Sequence, residues 1–286
     1  MTEKTILLVG NATIDQVFSL PHYPQENEEI RAVDKTEVMG GNACNSAQIL
    51  AQLGAPVELM TALADDNSGR WLMQQLQQCG IGIARCAQYQ GYCTPQSSIW
   101  LNQKNGSRSI VHYRDLPELS LVDLQKIATG ELAWIHFEGR NVPNLQACLP
   151  SLQAFRERVS LEIEKPRSGI EALLPLVGTV IVSSDYLRAT RLTAQACIDH
   201  MKLANPMLNI VCTLGEDGVV ASDYQGRVLE KPAEPVKQVV DTIGAGDCFI
   251  AGLISKLAQG QSFEVAVDFA SQLAAKKIQN RGMHIA

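Results

Sequence analysis

The chain has 286 residues, 46% of them apolar and 19% charged, with a formal net charge of −6. That composition supplies one large core, or one domain with a small appendage, and the acidic balance without a basic cluster excludes a nucleic-acid or anionic-membrane footprint. No apolar run is long enough to span a bilayer, and the opening MTEKTILLVG enters a strand without a signal peptide's apolar region, so a cytoplasmic protein is expected.

In chain order, residues 5–10 (TILLVG) read as a strand, and residues 30–39 (IRAVDKTEVM) as another with no helix before it. A helix over 42–53, a strand over 57–63 and a helix over 68–79 follow. Residues 97–114 read as a hairpin, because Asn105-Gly106 is the dipeptide of a two-residue turn. Strands over 133–137, 159–163, 179–183 and 209–214 then alternate with helices over 144–156, 168–176 and 193–201. Helices over 246–259 and 263–278 close the chain, the first with a buried stripe of Phe249, Leu253 and Leu257. There is no internal repeat.

Alternating strand and helix predicts an α/β fold: a mainly parallel sheet in an α/β/α sandwich, with ligands at the carboxyl ends of the strands. The two segments that break the rhythm predict a small projecting β-sheet, a lid drawn from about 12–39 and 95–116 of a single domain. Such a sheet needs its apolar face covered, which makes it a candidate dimer surface.

Eight cysteines, Cys44, Cys79, Cys86, Cys93, Cys148, Cys197, Cys212 and Cys248, include no CxxC pair and no histidine at ligand spacing. They are expected to be reduced small hydrophobes; the equal spacing of Cys79, Cys86 and Cys93 is read as chance.

Gly244-Ala245-Gly246-Asp247 combines a side-chain-poor turn, a helix start and an acid. The free N–H groups of the first helical turn make an anion hole. Asp247 there is expected to be stabilised as a carboxylate, with a pKa that is not high, and to act as base for a hydroxyl attacking a γ-phosphate. Taken alone, the same four residues read more readily as a tight turn with a capping aspartate. A second glycine pair, GGNACNSA (40–47), opens a helix on which Asn42 and Asn45 share a face, suited to vicinal sugar hydroxyls. GNATID places Asn11 and Asp15 just past the first strand, where Asp15 suits sugar hydroxyls or serves a turn. A P-loop, a complete dinucleotide fingerprint and a protein-kinase catalytic set are absent.

With both stretches in view, the chain resembles the ribokinase family of carbohydrate kinases, also called the phosphofructokinase-B (PfkB) family. Gly40, Gly41, Asn42, Asn45, Ala47, Leu53 and Gly54 match its first signature; Asp241, Thr242, Gly244, Ala245, Gly246, Asp247, Phe249 and Gly252 match its second. Within the family EIR (29–31), GSR (106–108), WIHFEGRN (134–141), EIEKPR (162–167) and AAKKIQNRG (274–282) resemble its ketohexokinase branch.

The resemblance implies ATP as co-substrate, Mg²⁺, and transfer to the primary 1-hydroxyl of a ketohexose such as fructose. It also implies a β lid often shared in a homodimer. Position by position it makes Asp247 the base and Gly244, Ala245 and Gly246 the anion hole. It makes Asp15, Gly41, Asn42 and Asn45 sugar-binding, and puts Arg140 near the transferred phosphate unless that arginine is a structural ion pair. Arg108, Gly215, Glu216, Asp217 and Gly218 would line the nucleotide. Many family members carry Asn-x-x-Glu for the metal; residues 183–187 read SSDYL, leaving Glu162 and Glu164, on one face of their strand, as candidates. The alternatives are another acceptor (a different sugar such as ribose, a sugar acid or a nucleoside) and, in another class, a catalytically silent sugar or nucleotide sensor.

Overall fold

A computed structural model describes residues 4–285. Along the chain, β1 (Thr5–Val9), β2 (Thr13–Leu20) and β3 (Asp34–Gly40) lead into α1 (Asn42–Gln52). There follow β4 (Val57–Met60), β5 (Ala62–Ala64), α2 (Asn67–Gln78), β6 (Ala87–Tyr89), β7 (Gln96–Asn102), β8 (Arg108–Tyr113) and α3 (Leu121–Leu124). Next come β9 (Leu132–Glu138), α4 (Val142–Cys148), β10 (Val159–Ile163), β11 (Thr179–Val182), α5 (Ser184–Thr190), α6 (Ala194–Ala204) and β12 (Asn209–Thr213). The antiparallel β13 (Val219–Ser222) and β14 (Val228–Lys231) precede α7 (Ala245–Ala258) and α8 (Phe263–Lys277).

The main sheet runs β14-β13-β12-β11-β10-β9-β1-β4 and is parallel from β12 to β4. These parallel strands are buried on both faces, as strands under helices must be, while the edge strand β14 is partly exposed. Ile6 and Leu8 join one core layer with α1, α7 and α8; Leu7 and Val9 point into the other with Phe137, Leu161 and Val180. This is the α/β/α sandwich that the alternation predicts.

The small sheet runs β3-β2-β7-β8. Its β2 was not predicted as a strand: TIDQVFSL mixes polar and apolar residues on a half-covered sheet. The strand expected over 30–39 is displaced to β3, and Asp15 lies inside β2 rather than in a turn after β1. The hairpin is real but wider than a two-residue turn. Leu101 pairs with Arg108, and the Asn102 N–H donates to the Ser107 carbonyl at 2.9 Å, leaving four residues in the loop.

Other departures have local causes. The strand expected over 57–63 breaks at Thr61, so β4 joins the main sheet and β5 pairs with β6. The helix expected over 144–156 is α-helical only to Cys148; Pro150, which lacks an N–H, lies in the 3₁₀ stretch Leu149–Arg158. Ile170–Leu176, containing Pro175, is 3₁₀ as well. Helix α7 is buried along every residue from Asp247 to Ser255 instead of on one stripe, because it is packed between α1 and α8. All eight cysteines are free thiols. Among the described residues no helix is long and apolar enough to cross a membrane.

Candidate active site

The carboxyl ends of β1, β9 and β10 meet the first turns of α1 and α7 beneath the small sheet. Gly41 caps α1 with φ 95°, and a Cβ there would stand 2.5 Å from the Asn11 carbonyl oxygen. Gly40 lies where a Cβ would fall on the Asp15 carboxylate. The glycine pair therefore lets α1 start tight against the chain leaving β1. Gly244 caps α7 in the left-handed region, φ 74°. Its neighbour Gly246 faces open space, with nothing within 4 Å of a notional Cβ. The turn is open on that side, whereas at Gly244 the Met283 side chain stands where a Cβ would fall.

Asp247 is 8% exposed. Asn45 Nδ2 donates to its Oδ2 at 2.8 Å, and Ser46 Oγ donates to its backbone carbonyl at 3.0 Å. Burial pushes the carboxyl up to about 7; the Asn45 bond pulls the other way, while the charges of Glu138, Glu164 and Asp15 add to the rise. The expectation of a low pKa fails: a first-turn position does not offset desolvation in a cluster of acids.

Glu138, at the end of β9, accepts from the Asn11 N–H at 3.0 Å and the Ala43 N–H at 2.6 Å. Burial raises its pKa to about 7 against those bonds and the nearby Arg140. Glu162, on β10, accepts from Asn42 Nδ2 at 3.0 Å, and its pKa is raised well above normal by burial and by Asp247. Asn42 and Asn45 thus reach different carboxylates, not one shared acceptor. Glu164 lies one residue past β10, paired with Lys165 at 3.4 Å.

In the small sheet Val38, Asp15, Ser97 and His112 form one cross-strand row. Asp15 accepts from Thr13 Oγ1 at 3.0 Å, and burial raises its pKa. Asn11 is held by Arg114, whose Nη1 donates to Asn11 Oδ1 at 2.7 Å. Arg140 pairs with Glu118 at 3.3 Å and approaches Glu138 at 4.0 Å, so in this state it is an ion-paired residue.

Arg108 reaches from β8 to Thr242 Oγ1 at 3.3 Å, tying the small sheet to the segment before the glycine turn. Gly215, Glu216 and Asp217 form a 3₁₀ turn closed by Gly218 at the carboxyl end of β12, with Glu216 and Asp217 exposed. Ser183 caps α5, accepting from the Tyr186 N–H at 3.1 Å and donating to the Glu164 carbonyl at 2.7 Å.

Two participants were missed in the sequence. One is Glu138, an acid ending an apolar strand. The other is the fully buried Lys277, whose Nζ meets the Asp241 carbonyl at 2.9 Å and its carboxylate at 3.2 Å. Asp241 also accepts from the Ile243 and Gly282 N–H groups, both at 2.9 Å.

An α/β/α sandwich carries a small sheet over its carboxyl edge, and a glycine turn runs into an acid there, an arrangement suited to transferring a phosphoryl group to a hydroxyl. Residues 3–285 match the description "pfkB family carbohydrate kinase". Mouse ketohexokinase is 33% identical over 99% of this chain and 98% of its own length. Adenosine kinase from Sinorhizobium meliloti superimposes with a TM-score of 0.82 at 22% identity, covering 99% of this chain and 96% of that one. Arabidopsis thaliana ribokinase, solved with ribose and ATP, gives 0.80 at 21% identity, covering 98% and 94%. The chain belongs to the PfkB family of carbohydrate kinases, and it is an ATP-dependent sugar kinase.

Proposed function

We propose that the protein transfers the γ-phosphoryl group of ATP to the 1-hydroxyl of a ketohexose such as fructose. The observation that carries this is Asp247, a buried carboxyl with its pKa raised to about 7, in the first turn of a helix whose capping turn is open at Gly246. A base is most useful when its pKa lies near the working pH. Asp247 takes the hydroxyl proton as the oxygen attacks phosphorus, and the N–H groups of Gly244, Ala245 and Gly246 steady the charge on the transferring group.

Asp15, Gly41, Asn42 and Asn45 hold the sugar, with the two amides exchanging carboxylate partners for hydroxyls. Arg140 exchanges its ion pair for the transferring phosphate. Arg108, Gly215, Glu216, Asp217 and Gly218 line the nucleotide. The small sheet acts as a lid that excludes water, a competing nucleophile. Val38 and Ile110, on the face that carries Asp15, are exposed apolar residues, and a second copy of the chain would cover them in a homodimer. A cytoplasmic setting, where ATP is available, fits this chemistry.

No group of three or more His, Cys, Asp and Glu able to hold a metal occurs among the described residues. Mg²⁺ does not need one, since it takes one or two carboxylates plus substrate phosphates and water. Glu162 and Glu164 fit that demand, because the like charges around Glu162 are what a cation relieves. When bound, Mg²⁺ would neutralise the triphosphate.

The support for a ketose is the full-length similarity to mouse ketohexokinase. A coupled ATP-consumption assay over ketoses, aldoses, sugar acids and nucleosides tests it. Fructose turnover with a 1-phosphate product is expected. Turnover of ribose but of no ketohexose would end the ketose assignment, and binding without ATP consumption would make the protein a sensor. Asp247→Asn should keep both ligands and lose about 10²- to 10⁴-fold in kcat.

A further inference from the structure

At the opposite edge of the main sheet, under the amino ends of β1 and β9, lies a cavity of about 390 Å³, within the size range of small-ligand sites. Its walls are the far ends of the two helices that build the active site. Leu53, Gly54, Ala55 and Pro56 follow α1; Ser255, Leu257 and Ala258 belong to the last turn of α7, and Gln259 and Gly260 follow it.

Among the described residues, the only charged side chains lining it are Lys4 and Arg158. Neither pairs with an acid among the described residues; Arg158 instead lies 5.8 Å from the Phe155 ring. The negative ends of the two helices do not cancel these cations fully, because their last carbonyls are engaged. The Ala55 N–H donates to the Leu50 carbonyl at 3.1 Å, and the Gln261 N–H to the Lys256 carbonyl at 3.0 Å. Ile6, Ala133 and Leu257 give the cavity an apolar wall, and Ser255, 4% exposed, adds a hydroxyl.

We propose that this cavity is an effector site for a small organic anion, its charged head between Lys4 and Arg158 and its apolar body against Ile6, Ala133 and Leu257. Coupling to catalysis runs along α1 and α7. Ser255 is eight residues from Asp247 on α7, about 12 Å at the helical rise. The same two helices are joined at their other ends by the Asn45–Asp247 and Ser46–Asp247 hydrogen bonds. A ligand wedged between the far ends alters how the near ends meet, which changes turnover as a differential affinity for two arrangements.

The test uses the full chain saturated with a non-hydrolysable ATP analogue, so that the probe cannot occupy the phosphate site. Phenyl phosphate and benzoate are titrated while amide NMR shifts are followed, with inorganic phosphate and benzyl alcohol as controls lacking the body or the head. Saturable shifts at residues 53–55 and 255–260 are expected for the two amphipathic anions, the tighter one identifying a phosphate ester or a carboxylate as the head. A Lys4→Ala/Arg158→Ala variant should bind about tenfold more weakly with unchanged basal ATP consumption. In separate assays with ATP, the tighter probe should change the acceptor KM or kcat of the wild type by threefold or more and leave the variant unaffected. No saturable shift at these segments, equal binding by the variant, or binding without any effect on turnover would each overturn the proposal. The binding readout does not depend on which sugar is accepted.

Discussion

Asn45 on α1 donates a 2.8 Å hydrogen bond to Asp247 on α7, joining two positions 202 residues apart in sequence. The bond favours the charged carboxylate and opposes the burial that raises its pKa. Removing it in Asn45→Ala should therefore raise the Asp247 pKa further. A hydrogen bond to a charged group contributes about 1.5–3 kcal/mol, so the acid limb of the kcat/KM–pH profile, which reports the free enzyme where the bond exists, should move up by roughly one to two units. kcat/KM for the acceptor measured from pH 5.5 to 9 checks this. A limb that stays in place would dissociate the bond from the titrating base.

Gly40 prepares the sugar side of the cleft. A Cβ at this position would fall on the Asp15 carboxylate, yet the residue does not sit in the left-handed region. Gly40→Ala should consequently displace Asp15 with little backbone strain. The acceptor KM is expected to rise about tenfold, the loss of roughly one hydrogen bond to a charged group, while the KM for ATP stays near its original value. Steady-state kinetics with each substrate varied in turn separates the two effects.

The elements easiest to read from the chain were those set by local pattern. The five residues of β10 were delimited as they stand, and the glycine stretches at 40–41 and 244–246 marked both helix starts of the site. Strand β2 was not legible, because five of its eight residues are only half-buried and their alternation is blurred. The raised pKa of Asp247 was hidden for a different reason. It depends first on burial, which only the assembled fold supplies, and then on Glu138, Glu164 and Asp15, which are brought beside it from three other segments. Sequence spacing showed that Asn42 and Asn45 share a helix face, but not that Glu162 and Asp247 would divide them. The pairing of Lys277 with Asp241 was equally beyond local reading, although both lie in stretches quoted for the family resemblance.

That pair anchors the approach to the anion hole. Lys277 is fully buried and holds both the carbonyl and the carboxylate of Asp241, whose oxygens also receive the Ile243 and Gly282 N–H groups. Lys277→Met would leave Asp241 without its cation in a largely buried place. Breaking such a pair from one side costs about 3–5 kcal/mol. Denaturant unfolding should show that loss, and kcat should fall more than either KM changes, because the segment that loosens leads directly into Gly244. Unaltered stability would mean that the ammonium contributes nothing net to the folded state.

Glu138 sets a pH dependence of stability whose sign can be worked out. Its pKa rises from 4.5 to about 7 on folding, so between those values the folded protein holds a proton that the unfolded chain releases. Folding stability must then fall as pH increases through that window, the reverse of the usual salt-bridged carboxylate. Below about pH 4.5 the contribution is fully present, and above about 7 it is gone. Glu138→Gln keeps an oxygen able to accept from both the Asn11 and Ala43 N–H groups while removing the titration. The unfolding midpoint of the variant relative to wild type should therefore climb from pH 5 to pH 8. A difference that is flat across that range would show that Glu138 folds with an ordinary carboxylate pKa, and the two backbone N–H groups would then have fully offset its burial.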